Sequence, residues 1–176
     1  MQHLQKLFLR IFRIIGPISS LDGAIQSTMI LKNWVENNKG WVQIQNAPDG
    51  QKEKAIQSYF CLGAAQYLRD NNLDLSCEAN EGPGPVDHKI SRGNDKTVIE
   101  MKLSSNDQYI HGYEKQIWRY AQAENTEKMV YILIDVGNEE RVEKLRKRHE
   151  QRLTEGKKSP ILVIIDSKPQ KSASKC

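Results

Sequence analysis

The chain lacks any uninterrupted apolar stretch of about 18 residues, so the sequence offers no transmembrane helix. It lacks a large charge surplus as well. Its 26 Lys and Arg stand against 22 Asp and Glu, a net charge of +4, which permits a local basic groove without demanding one. Its 3 cysteines, Cys61, Cys77 and Cys176, are odd in number and lack the spacing of a zinc site. A reducing, cytoplasmic compartment is therefore the expectation. No internal repeat is visible. Near the start, Arg10 and Arg13 interrupt the apolar positions and no small-residue cleavage site follows, which argues against a signal peptide. What the chain does have is length: 176 residues suffice for one domain with a substantial core.

The informative stretch runs from Gly84 to Leu103. Val86 to Ile90 and Thr97 to Leu103 are β-rich runs, separated by the turn chemistry Ser91-Arg92-Gly93-Asn94-Asp95. A hairpin centred on Gly93-Asn94 sets Asp87 directly opposite Glu100. Strand side chains alternate, so Lys102 shares their face, while Val86, Ile90, Ile99, Met101 and Leu103 form the core face. Like charges directly opposite on a sheet repel. A divalent cation between hard oxygen ligands relieves that repulsion, and Mg²⁺ binds through one or two carboxylates plus substrate phosphates. A nearby ammonium can then hold the attacking water or offset charge on a phosphate. The bland alternative is an exposed hairpin face with solvated charges. An isolated Glu-x-Lys is common and carries no weight; Pro-x-Asp, a turn and an in-register Glu-x-Lys together carry much more.

Pro85-Val86-Asp87 followed by Glu100-Met101-Lys102 resembles the PD-(D/E)xK nuclease superfamily, with Pro-Val-Asp in place of the more usual Pro-Asp. The resemblance implies Asp87 and Glu100 as metal ligands, the Met101 backbone carbonyl as a third, and Lys102 as the catalytic lysine. Members of the superfamily often bring an acidic residue from the first core helix. Glu53 occupies that place at the start of a helix over Lys52 to Arg69, on a stripe with Ile56, Phe60, Gly63 and Tyr67. Its ordinary alternative is a glutamate favourable to a helix N-terminus.

A further helix is expected over Asn106 to Glu124. Its stripe of Tyr109, Tyr113, Gln116, Ile117 and Tyr120 contains one polar member, and Gln116 needs a partner there. Gln116 and Tyr120 also match the Gln-x-x-x-Tyr element found in many members of the superfamily. His88 alternates onto the core side and reads as packed. Leu73 to Ala79 supplies the first core strand, Met129 to Val136 a continuous apolar one, and Pro160 to Asp166 the last. Between the last two lies a helix over Glu139 to Thr154, whose basic Arg146-Lys147-Arg148 could touch a nucleic-acid backbone or stay a solvated face.

Residues 1–45 read as an N-terminal helical extension, with helices over Leu4 to Ile15 and Leu21 to Asn37, the second capped by Ser19 or Ser20. Residues 46–167 form the nuclease-like domain and 168–176 a disordered polar tail. The expected fold is an α/β/α sandwich with a central mixed sheet, restriction-endonuclease-like, with core order αβββαβ. The resemblance implies Mg²⁺- or Mn²⁺-dependent hydrolysis of phosphodiester bonds, as an endonuclease on DNA more than RNA, leaving a 5′-phosphate. No membrane is expected as a partner, and the N-terminal helices are candidates for a homodimer or larger-protein contact. Two alternatives keep the fold without the chemistry: a nucleic-acid-binding module and a protein-interaction domain.

Overall fold

A computed structural model of the chain describes residues 18–79 and 86–169. Helix α1 (Ser20–Asn37) starts at a capping box: the Ser19 hydroxyl accepts from the Asp22 amide, and the Asp22 carboxylate accepts from the Ser19 amide. A left-handed Lys39, φ 60°, turns the chain into the short helix α2 (Gly40–Asn46), which the apolar spacing did not announce. Helix α3 (Lys52–Asp70) follows. Its buried stripe is Ile56, Phe60, Ala64 and Leu68, so the helix is rotated from the expected stripe and Gly63 is exposed.

The strands are β1 (Asp74–Ala79), β2 (Val86–Arg92), β3 (Asp95–Leu103), β4 (Met129–Asp135) and β5 (Ile161–Asp166). They form one sheet in the order β1-β2-β3-β4-β5. The first three are antiparallel neighbours, whereas β4 lies parallel to β3 and β5 parallel to β4. The expected Asn106–Glu124 helix begins later, as α4 (Tyr109–His111), passes through a π-helical turn (Gly112–Gln116) and continues as α5 (Ile117–Ala123). Helix α6 (Glu139–Thr154) connects β4 to β5. The whole is a mixed α/β sandwich.

Alternation along the strands divides the core in two. On one face Ile90, Ile99, Met101, Ile132, Ile134 and Ile165 pack against Ala24 and Leu31 of α1, Ile44 of α2 and Phe60 of α3. On the other, Val98, Tyr131 and Leu133 pack against Tyr109, Tyr113, Ile117 and Tyr120, and against Val142 and Leu145 of α6. Strand β4 is covered on both sides and buried along its whole length, which is why its sequence runs apolar without alternation.

The hairpin register is the expected one. Five pairs, from His88 with Ile99 to Arg92 with Asp95, close on Gly93-Asn94. Gly93 has φ 60° at the first central position, where a II′ turn favours glycine. Asp95 beside this turn accepts from the Ser20 amide at 2.9 Å, the Ser20 hydroxyl at 2.6 Å and Lys128 Nζ at 2.6 Å. Within the described part of the expected 1–45 extension, residues 18–45, that anchor and the burial of Ala24, Leu31 and Val35 make α1 and α2 part of the domain's core and not an extension of it. Amphipathicity alone could not tell a helix that caps a neighbouring domain from one that completes its own. The expected Leu4 to Ile15 helix lies outside the described residues, as does most of the expected tail.

Cys61 of α3 and Cys77 of β1 are disulfide-bonded, although the odd cysteine count had pointed to reduced thiols. The two are 16 residues apart, and only the docking of the helix on the edge strand brings them together. No helix among the described residues is long and apolar enough to cross a membrane.

Candidate metal and active site

The site forms where β2 and β3 cease to pair. Among the described residues, the last rung of the ladder at this end is His88 with Ile99. Beyond it the Asp87 carboxylate, not a backbone carbonyl, accepts from the Met101 amide at 2.7 Å. Gln57, one turn along α3 from Glu53, donates its side-chain amide to Asp87 as well. Glu100 and Lys102 point to one face of β3, as their spacing requires, and Lys102 Nζ lies 2.7 Å from Glu100 Oε1. Glu53 reaches the same ammonium from the first turn of α3 at 3.1 Å. Its second oxygen accepts from Asn106 Nδ2 at 2.9 Å and, more weakly, from the Leu103 amide at 3.5 Å. The inward reading of Glu53 is therefore the observed geometry. Three elements, α3, β2 and β3, bring Glu53, Asp87, Glu100 and Lys102 together.

The electrostatics are those of a site short of positive charge. Glu100 is fully buried, and among the described residues no hydrogen-bond donor reaches its Oε2. Burial first, and then the Asp87 charge, push its carboxyl up to about 8. Burial likewise raises Asp87 to about 6, although Lys102 and the Met101 amide pull it back. Burial would depress the Lys102 ammonium, but Glu100 and Asp87 outweigh it and hold Lys102 above its ordinary value. One ammonium is thus shared among three carboxylates. Among the described residues the three carboxylates do not converge closely enough to form a three-ligand metal cluster, and Lys102 Nζ bridges Glu53 and Glu100. The buried Glu100 Oε2, without a donor among the described residues, and the hard oxygens of Asp87 are donors of the chemical type that a Mg²⁺-class cation takes. Met101 presents its amide to Asp87 and buries its side chain on the far face of the sheet.

A family model described as "Domain of unknown function (DUF8371)" matches residues 21–138. The chain belongs to this family. No curated protein and no solved structure matches the chain. The DUF8371 match runs from α1 to just beyond β4 and contains every residue of the carboxylate–lysine cluster.

Gln116 is half-buried and donates from Nε2 to the Tyr120 hydroxyl at 2.7 Å. No direct hydrogen bond from Gln116 to Asp87, Glu100 or Lys102 is present among the described residues. Burial raises Tyr120 above its ordinary value, and the charges of Glu100, Asp87 and Lys102 act on it at longer range, so the Gln116–Tyr120 pair lies within the cluster's field. Three neighbours within the DUF8371 segment escaped the sequence reading: Gln57, Asn106 and Gly112. Gln57 sits four residues after Glu53, a spacing that puts both on one side of a helix, and that signal was available. Gly112 had none. A Cβ there would come within 3.0 Å of the Tyr131 hydroxyl and 3.3 Å of the Lys102 Cγ. Its bare backbone lets the π-helical turn press against the lysine's stem.

Proposed function

We propose that this cluster is the active centre of a divalent-metal-dependent nuclease that hydrolyses phosphodiester bonds, in DNA more than RNA. What supports the reading best is the meeting of Asp87, Glu100, Glu53 and Lys102 at the parting of β2 and β3. The element order α3-β1-β2-β3, then the α4–α5 helix, then β4 is compatible with a restriction-endonuclease-like core. Asp87 and Glu100 would hold Mg²⁺ or Mn²⁺, with the Met101 carbonyl as the third ligand implied by the resemblance. The ion would supply Lewis acidity and a lowered pKa for the attacking water.

The chain's own residues have separable tasks in this reading. Glu100 near neutral pH is poised between its protonated and charged forms, so a cation is what commits it to charge. Lys102 stays protonated and is held at its head by Glu53 and Glu100. It can donate to the attacking water or to the phosphoryl oxygen on which negative charge grows. Asn106 steadies Glu53, and therefore Lys102. The Tyr120 hydroxyl accepts from Gln116, which leaves its own proton free to donate to a substrate phosphate.

The test is incubation of the purified protein with single-stranded, duplex and branched DNA and RNA, with Mg²⁺ or Mn²⁺ against chelator. Cleavage that needs the ion, and that disappears in both Asp87→Asn and Lys102→Ala, is the expected result. Binding without cleavage would favour a non-catalytic nucleic-acid module. Full activity in Asp87→Asn, with an unchanged metal response, would sink the nuclease reading.

A further inference from the structure

A second group of donors, softer than the first, meets at the edge of the sheet beneath α3. Cys61, Cys77 and His88 each place one donor atom within 4.8 Å of the others. Cys77 and His88 are cross-strand partners on β1 and β2, so their side chains share a face, and α3 lays Cys61 against them. His88 is fully buried, and its Nε2 has no hydrogen-bond partner among the described residues. Its Nδ1 lies against the Asp87 carbonyl, which can only accept; with the proton on Nδ1 the Nε2 lone pair is open to a ligand. A histidine that gives its other ring N–H to a backbone carbonyl is the arrangement metal-ligating histidines use. Phe60 stacks on the ring at 4.5 Å and restrains it from turning away. A buried acceptor left without a donor is costly, and two sulfurs beside it are the only soft partners in reach among the described residues.

We propose that Cys61, Cys77 and His88 form a thiol-gated Zn²⁺ site, open when the two cysteines are reduced and closed when they are bonded to each other. A dithiol reductant opens it: two electrons and two protons pass to the Cys61–Cys77 bond, giving two protein thiols, while the reductant's sulfurs join. Zn²⁺ then displaces both thiol protons to solvent and takes two thiolates and the imidazole nitrogen, with water in the fourth tetrahedral position. A disulfide-class oxidant closes it: two electrons pass from the thiolates into the oxidant's sulfur–sulfur bond, which breaks and takes two protons from solvent to give two thiols, while the Cys61–Cys77 bond re-forms and the ion is expelled. Cys77 is exposed and Cys61 half-buried, so both reagents have access. Two sulfurs and one nitrogen select Zn²⁺ over Mg²⁺, the reverse of the preference at the carboxylate cluster. The site goes beyond the nuclease reading and stands without it.

The experiment uses the full chain with Cys176→Ser, so that the remaining thiol cannot contribute. One sample is reduced with a phosphine, another is left oxidised, and both are stripped with chelator. Each is titrated with Co²⁺ as the optical probe and then challenged with Zn²⁺. The reduced protein is expected to bind about one equivalent, with thiolate-to-cobalt charge transfer and tetrahedral visible bands that Zn²⁺ erases. The oxidised protein should show neither band. His88→Gln should weaken binding by about tenfold or more while the charge transfer persists. Alkylating the reduced parent should abolish the bands without any substitution, which covers the case of a variant that does not fold. Equal binding by oxidised and reduced protein overturns the proposal. So does reduced protein without charge transfer, or His88→Gln with undiminished affinity.

Discussion

The two ends of the β2–β3 hairpin each carry an aspartate, and the fold treats them in opposite ways. At the turn, burial would raise Asp95, but Lys128 and the Ser20 hydroxyl and amide bring it down to about 2. At the parting of the strands, Asp87 and Glu100 are left above their ordinary values, with one lysine among three carboxylates. Another buried carboxylate is paired as Asp95 is: Glu124 lies 2.8 Å from Lys89 and 2.9 Å from Lys96. The fold can evidently satisfy a carboxylate where one serves structure. The undersupplied far end of the hairpin is the contrast on which the proposed cation site rests.

The sharpest way to break this comparison is to neutralise one aspartate at each end. Asp87→Asn is expected to cut ion-dependent cleavage by about 10²–10³-fold or more, whereas Asp95→Asn leaves the rate per folded molecule unchanged. Lys102→Ala should lose a similar factor yet keep its response to Mg²⁺ in thermal melting, because both ligand carboxylates remain. Rates measured on the same substrate for all three variants decide the point. Stability should rank the ends the other way. Asp95→Ala removes three bonds and is expected to lower unfolding free energy by about 1–2 kcal/mol in denaturant titration. Asp87→Asn without metal should leave it unchanged or slightly higher, since a repulsion with Glu100 disappears.

Ligand linkage gives a smaller effect. At about tenfold the dissociation constant, Mg²⁺ should stabilise the parent by roughly 1.4 kcal/mol, and Glu100→Gln should lose that increment. The pH dependence of the chelated protein sharpens it further. Burial, and then Asp87, lift Glu100 from 4.5 to about 8, so the folded state holds a proton that the unfolded chain releases. Stability from this group is full below pH 4.5 and is lost as pH rises through about 8. Burial lowers His88 from 6.5 to about 3, which acts with the opposite sign but only below 6.5. Between pH 6.5 and 8 the chelated parent should therefore lose stability with rising pH, and Glu100→Gln should flatten that slope in melting curves. The smallest effect is expected from Gln116→Leu. It should slow cleavage only severalfold, because Gln116 acts through Tyr120; loss as deep as in Lys102→Ala would place it in direct contact with substrate.

What could be read in the chain follows from how local each signal is. The hairpin register depends on Gly93-Asn94 and on alternation, both contained within a few residues, and so Glu100 and Lys102 could be placed on one face in advance. Glu53 was harder, since its direction depends on how α3 docks, and helical spacing left both readings open. The role of α1 was misjudged for the same reason: Ala24, Leu31 and Val35 announce an apolar face but not the surface that covers it. The Cys61–Cys77 bond, the π-helical turn and the reach of Asn106 to Glu53 depend on contacts between distant segments. No periodicity encodes those.

Strand β4 has a consequence for how the protein is made. From Met129 to Ile134 it is without charge, and it finds its place only between two parallel neighbours. Each of those pairings spans a helical crossover, so β4 must wait for chain on either side of it to arrive and fold. Until then it is an unprotected, sticky β-segment whose nearest brakes on self-association are Lys128 and Asp135 at its two ends. Refolding yield should accordingly fall with protein concentration, and ribosome-borne chains that have not yet released α6 and β5 are the ones most dependent on chaperones.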